Sequence, residues 1–305
     1  MDLKVRIGKT IFKNPIWVAS GTFGYGEEFQ DFLDLEKIGA IVTKTLTLEK
    51  REGNPPPRIV ETPSGMLNSI GLENQGIGHF KREYYPFLKK LKTKTIISIA
   101  GEKQSEFLRC AEELIEQEEP DAIELNLSCP NASHRATRYQ LIAQDAKTTE
   151  KMISTLRRKV KCPLIAKLTP NVTDIATIAK VAETSGCDAV SMVNTYFAMA
   201  VDAEKMTPLL GNVVGGLSGP AIKPMALKAV RDVYKKVKIP VIGIGGIMTG
   251  MDVAEFMLCG ASAVQVGTAN LVDPVAYKRI MEEFEGYLKR KNIKKAQDLV
   301  GKLKG

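Results

Sequence analysis

Seven points along this 305-residue chain carry residues whose types could do chemistry: Ser20-Gly21, Lys44-Thr45, Asn126 with Ser128-Cys129, Lys167, Asn194-Thr195, Gly245-Gly246 and Gly267-Thr268. Cys129 lies in LNLSCPN, and a thiol with an ordinary pKa of ~8.5 is suited to removing a carbon-bound proton. Lys44 and Lys167 follow apolar runs, and a buried ammonium needs a partner. A bound phosphate, carboxylate or reduced flavin ring would serve; pairing with Glu124 is the structural alternative. Lys167 also suits a Schiff-base nucleophile. Four carboxamides, Asn68, Asn126, Asn131 and Asn194, can each donate and accept. Together they fit a small heterocycle with ring NH and C=O groups. The glycine-rich GIGGI and VGTA turns let backbone amides approach an anion closely, although tight turns needing positive φ use the same residues.

Short β-branched runs position these residues. They begin at Ile16, Ala40, Thr95, Ala122, Leu164, Ala189, Pro240 and Ala263, each followed by apolar residues three and four apart. Repeated βα units of this kind predict a closed (β/α)8 TIM barrel of α/β class, spanning residues 1–305 as a single domain. LKVRI-GK-TIF predicts an N-terminal β-hairpin closing the barrel bottom. The spacings between strand starts are 24, 55, 27, 42, 25, 51 and 23 residues. Long loops therefore follow strands 2, 4 and 6, on the face where this fold builds active sites, and three of them suggest a lid over a flat ligand. Residues 196–220 could form a small strand pair of their own.

The formal charge of +8 is local: residues 289–305 hold seven Lys or Arg against Asp298 alone. Ile293, Ala296, Val300 and Leu303 recur there at helical spacing, predicting a docked terminal helix with a wet lysine face rather than a nucleic-acid patch. The charged, alternating amino terminus argues against a signal peptide, and no run reaches the ~18 apolar residues of a membrane span. Five scattered cysteines offer no disulfide framework or cluster spacing. With only His79 and His134, no metal site is expected. A reduced cytoplasm is the expected compartment. GIGGIMTG lacks the dinucleotide fingerprint.

ASGTFG (19–24), TKT (43–45), NSIGLEN (68–74), LNLSCPN (125–131), AKLTPNVTD (166–174), GGLSGPAIKP (215–224), GIGGI (243–247) and VGTANLVDP (266–274) resemble the class 1 dihydroorotate dehydrogenases nearly end to end. Cysteine rather than serine at 129 resembles class 1, and the 215–224 and 266–274 motifs look most like the class 1B catalytic subunit. The resemblance implies that FMN oxidises (S)-dihydroorotate to orotate in pyrimidine biosynthesis, with Cys129 taking the C5 proton. It places Lys44, Asn68, Ile70, Gly71, Leu72, Asn126, Asn131, Asn194 and Thr195 around the substrate. Ser20, Gly21, Lys44, Thr45, Asn126, Gly219, Gly245, Gly246, Gly267 and Thr268 would hold FMN, and Lys167 would face the edge where negative charge accumulates on reduction. It further implies a homodimer core within a heterotetramer, electrons leaving to NAD through a subunit carrying FAD and a [2Fe-2S] cluster. After Asn131 this family usually continues with a glycine-rich stretch. Here no glycine occurs from Cys129 to Cys162, which implies a lid of different stiffness or shape.

Rival readings are a class 1A homodimer using fumarate, a dihydropyrimidine dehydrogenase-like reductase, a Schiff-base aldolase with Lys167 as nucleophile, and a non-catalytic binding barrel.

Overall fold

The computed structural model describes residues 1–116, 119–127 and 141–304. Strands β1 (Val5–Ile7) and β2 (Thr10–Phe12) form an antiparallel hairpin. Next come β3 (Ile16–Val18) and β4 (Ala40–Val42), the excursion β5 (Ile59–Thr62) and β6 (Gly65–Asn68), and helices α1 (Ile77–Glu83) and α2 (Tyr85–Lys90). The alternation then runs β7 (Lys94–Ile99), α3 (Gln104–Ile115), β8 (Ala122–Asn126), α4 (Ala146–Arg157), β9 (Leu164–Lys167), α5 (Ile175–Thr184) and β10 (Ala189–Met192). A second excursion holds β11 (Tyr196–Ala198), β12 (Val201–Asp202), β13 (Thr207–Pro208) and β14 (Gly215–Ser218) before α6 (Lys223–Lys236). The chain ends through β15 (Val241–Ile244), α7 (Gly250–Cys259), β16 (Ala261–Val266), α8 (Thr268–Val272) and α9 (Ala276–Arg290).

Strands β3, β4, β7, β8, β9, β10, β15 and β16 close into a parallel barrel in chain order, β16 pairing back onto β3. All eight are those expected from the β-branched runs. Both faces of each are covered, which is why they read as continuous apolar stretches rather than alternating ones. Outside, helices lay apolar stripes against the sheet; α3, for example, buries Phe107, Cys110, Ala111 and Leu114. Asp145, Asp174 and Thr249 cap α4, α5 and α7 through their side-chain oxygens, satisfying amides that the first turn leaves unpaired.

The hairpin seals one end of the barrel, as expected. Val5, Ile7 and Phe12 pack with Trp17, Ile96, Ile165 and Ile242 in a buried cluster, where Ala40, Ala122, Ala189 and Ala263 leave room for the large rings. The Phe12 and Trp17 ring centroids lie 4.4 Å apart, and the Trp17 indole N–H donates to the Asn14 carbonyl at 3.1 Å.

Two features depart from the sequence-based expectations. The 196–220 region is more than a strand pair: β11 and β14 join β6 and β5 in one antiparallel sheet of order β11-β14-β6-β5, while β12 and β13 form a separate hairpin. The basic terminus is not a helix. Asn292 adopts a left-handed φ of +54°, and the Ile293 amide donates to the Leu288 carbonyl at 2.9 Å, ending α9 as asparagine does at helix C-termini. Beyond it only Ala296–Leu299 forms a short 3-10 turn, with Ala296 and Leu299 buried. The segment docks instead through backbone pairing of Asp2 with residues 294–296.

Phe12→Ala removes the ring that fills the barrel end and is expected to destabilise the fold by about 3–5 kcal/mol. Denaturant unfolding measures this, and an unchanged midpoint would show that the hairpin is not part of the cooperative core.

Candidate active site

A cavity of ≈ 320 Å³ opens at the carboxyl ends of the barrel strands. From β3 and β4 come Ser20, Gly21, Lys44 and Thr45; the first excursion adds Asn68, Ile70, Gly71 and Leu72. Asn126, Lys167, Asn194 and Thr195 line it from β8, β9 and β10, and Gly219, Gly245, Gly246, Gly267 and Thr268 complete the opposite side. Every site residue expected from the sequence that falls among the described residues thus lines one cavity. Cys129 and Asn131 lie outside the described residues.

Hydrogen bonds tie these groups together across adjacent strands. The Thr45 hydroxyl sits 3.0 Å from Ser20 Oγ and 2.9 Å from Ser98 Oγ, and it accepts from Asn126 Nδ2 at 3.2 Å. Asn194 Nδ2 donates to Asn126 Oδ1 at 3.5 Å, and Asn194 Oδ1 accepts the Thr195 amide at 2.8 Å. Such an arc, mostly buried, holds its donors and acceptors before any ligand arrives. Sequence reading missed several members. Ser98 supports Thr45 from β7, and Ser218 receives the Thr268 hydroxyl at 2.8 Å. Asn171 steadies the exit of β10, donating to the Thr195 carbonyl at 3.1 Å and accepting the Phe197 amide at 3.0 Å. Its place in the TPN turn of AKLTPNVTD was the available signal.

The 70–72 loop is held in an unusual shape. Gly71 (φ +74°) and Leu72 (φ +56°) are consecutive left-handed residues, and a Cβ on Gly71 would fall 2.5 Å from the Asn54 amide nitrogen. Buried Asn74 donates to the Leu72 carbonyl at 2.7 Å, and the Asn54 amide donates to the Ile70 carbonyl at 3.1 Å. Among the described residues no acceptor meets the N–H groups of Gly71 and Leu72. The loop that carries them lines the cavity, where unpaired backbone amides suit an anionic group such as a carboxylate.

The two lysines differ. Lys44 is half-buried and has no ion pair among the described residues. Lys167 is 6 % exposed, and its Nζ lies 3.8 Å from Oε1 of Glu124; this partner is the structural alternative raised above, so an anionic ligand is not its only counter-charge. The four cysteines among the described residues, Cys110, Cys162, Cys187 and Cys259, are all buried. Burial pushes the Cys110 and Cys162 thiols up to about 12 and raises the other two as well, so they behave as small apolar groups.

Residues 2–288 match the family model described as dihydroorotate dehydrogenase. This chain belongs to the dihydroorotate dehydrogenase family. Proteins named dihydroorotate dehydrogenase B (NAD(+)), catalytic subunit, are similar over its whole length. One from Bacteroides thetaiotaomicron is 48 % identical over 302 residues, covering 99 % of each chain. Another, from Desulforamulus reducens, is 48 % identical and covers 99 % of this chain and 98 % of its own. No helix among the described residues of this dihydroorotate dehydrogenase family member is long and apolar enough to cross a membrane.

In this family member the turn after β15 rests on Asp252. Its carboxylate accepts the Met248 and Thr249 amides at 2.8 Å each and the Lys223 ammonium at 2.6 Å. Burial pushes the Asp252 carboxyl up, but Lys223 and the amides outweigh that and hold it below the usual carboxylate value. A lowered folded-state pKa stabilises the fold above the unfolded value of ~3.9 and loses that contribution as pH falls through the folded value. Asp252→Asn is therefore expected to lower stability by about 2 kcal/mol at neutral pH, with the gap to wild type narrowing in acid. Thermal unfolding across pH reads it; a gap independent of pH would contradict the assignment.

Proposed function

We propose that this chain oxidises (S)-dihydroorotate to orotate with FMN, as one FMN-binding domain spanning residues 1–305, in the cytoplasm and in pyrimidine biosynthesis. The observation that carries this reading is the convergence of Lys44, Lys167, three carboxamides and the 70–72 donor loop on one cavity. Its relatives' names supply the substrate and the NAD linkage.

The cavity wall fits a flavin phosphate and ring. A Cβ built on Gly21 (φ +84°) would meet nothing within 4 Å, so bare backbone faces open space there. At Gly246 (φ +73°) a Cβ would fall 2.7 Å from Lys223 Cβ and 2.9 Å from the Gly219 carbonyl oxygen. Only glycine lets that turn close, which leaves its backbone free to approach an anion. Ser20, Gly21, Lys44, Thr45, Asn126, Gly219, Gly245, Gly246, Gly267 and Thr268 would hold the FMN. Bound FMN supplies the two-electron acceptor for the substrate hydride.

The chain's own residues do the rest. Gly71 and Leu72 amides and Lys44 would take the substrate carboxylate, while Asn68, Asn126, Asn131, Asn194 and Thr195 would hold the ring NH and C=O groups. Cys129 would accept the C5 proton. Lys167 would offset negative charge at the cavity floor. Its ion pair with Glu124 speaks against the aldolase reading, because a paired ammonium is a poor nucleophile. The name catalytic subunit in the relatives supports a partner chain; we assign it FAD and a [2Fe-2S] cluster, around a homodimer core in a heterotetramer.

Cys129→Ala is expected to keep FMN and to lose about 10²- to 10⁴-fold in dihydroorotate oxidation at neutral pH, with Cys129→Ser recovering activity only at raised pH. Wild-type turnover in the alanine variant would remove the thiol from the mechanism.

The isolated chain is expected to reduce artificial dyes with dihydroorotate but not NAD, until the iron–sulfur flavoprotein subunit is added. Efficient fumarate reduction by the chain alone would point instead to a class 1A enzyme, and a colourless protein that takes up no FMN would refute the flavin reading.

A further inference from the structure

Glu124 is a carboxylate with no solvent exposure at all, on β8 inside the barrel. Its Oε2 accepts from Ser191 Oγ at 2.9 Å and from Gln265 Nε2 at 2.8 Å, donors on β10 and β16. The other oxygen, Oε1, has no hydrogen-bond donor and faces Lys167 Nζ at 3.8 Å. A carboxylate this deep persists only beside a compensating positive charge. Lys167 is that charge.

The separation carries the argument. At 3.8 Å the two groups attract electrostatically but are too far apart for a hydrogen bond. The Lys167 ammonium makes no other hydrogen bond or ion pair among the described residues, so all three of its N–H donors remain unused. Glu124 thus holds the charge of the lysine without consuming the groups a ligand would need. Ser191 and Gln265 make this possible, because by occupying Oε2 they leave only Oε1 toward the lysine.

We propose that Glu124 is a positioning residue that holds the Lys167 side chain at the cavity floor with its donors available to a bound anion. The consequence for the reaction rests on the flavin reading above; the pairing does not. A closer, hydrogen-bonded pair would satisfy the carboxylate better but would use one of the donors of the lysine.

Trace acylation of amines in the ligand-free protein at neutral pH, read by peptide mass spectrometry, tests the proposal by comparing Lys167 with Lys44 in the same cavity. Glu124→Gln is expected to raise Lys167 labelling about tenfold or more, since it removes the one opposite charge that the described residues set against the amine, 3.8 Å away. Lys44 should stay level. Gln265→Met conserves volume and removes one of the two donors that stabilise the carboxylate charge; it should raise Lys167 labelling by a smaller factor and keeps the test decisive if Glu124→Gln does not fold. Lys167 labelling at the wild-type level in every variant that folds overturns the proposal, as does an equal rise at Lys44, which would mean general loosening. FMN added to the wild-type protein separates the two readings. Protection of Lys167 supports the flavin site, and absence of protection counts against that site while the flavin-free comparison still decides the role of Glu124.

Discussion

Closure of the sheet is the constraint on which everything else in this molecule depends. Val264, Gln265 and Val266 pair with Ile16, Trp17 and Val18, and the Ala19 amide donates to the Val266 carbonyl at 2.8 Å, joining the last strand to the first. Once the ring is complete no strand edge remains, and every inward side chain is committed to one of a few layers. The lowest layer is apolar and sealed by the hairpin. Above it sit Glu124, Ser191 and Gln265, and above them Thr45, Asn126, Lys167 and Asn194 face the cavity. Polarity thus rises along the barrel axis from a dry floor to a hydrogen-bonding mouth.

That gradient explains how charged groups survive inside the barrel. A polar group buried without partners is costly, so the middle layer works only as a network, its carboxylate meeting a hydroxyl, an amide and an ammonium at once. The mouth follows the same logic with smaller groups, Thr45 linking Ser20, Ser98 and Asn126. The cavity is therefore organised before a ligand enters, and little of the binding free energy is spent on ordering side chains.

The barrel was legible because its strands carry a local signature: β-branched runs such as AIVTKT and LIAKLT, each closing on a polar residue. The positions of Lys44, Lys167, Asn126 and Asn194 followed directly, since a strand's last inward residue reaches the mouth. Long-range pairing was not legible. Nothing near Asn68 announces that it will pair with Gly216, because sheet edges recognise one another through backbone groups that every residue shares. The tail misled for a related reason. Its apolar spacing fits a helix, but Asn292 stops α9 first, and a helical pattern cannot act across a break. Ser98 and Ser218 were missed because a single hydroxyl at a strand end has no distinguishing pattern until its neighbour is known.

The sheet β11-β14-β6-β5 joins insertions that leave the barrel after different strands, two from the second and two from the sixth. Six residues of β6 and β14 are in direct register, with Asn68 opposite Gly216 and Met66 opposite Ser218. The two insertions therefore cannot be remodelled separately. A chimera that borrows residues 59–68 from a relative without its 196–218 would keep the backbone pairing but set foreign side chains against Leu217 and Ser218, the partners of Leu67 and Met66. A change in one stretch therefore has to be matched by a change in the other, although more than a hundred residues of chain separate them.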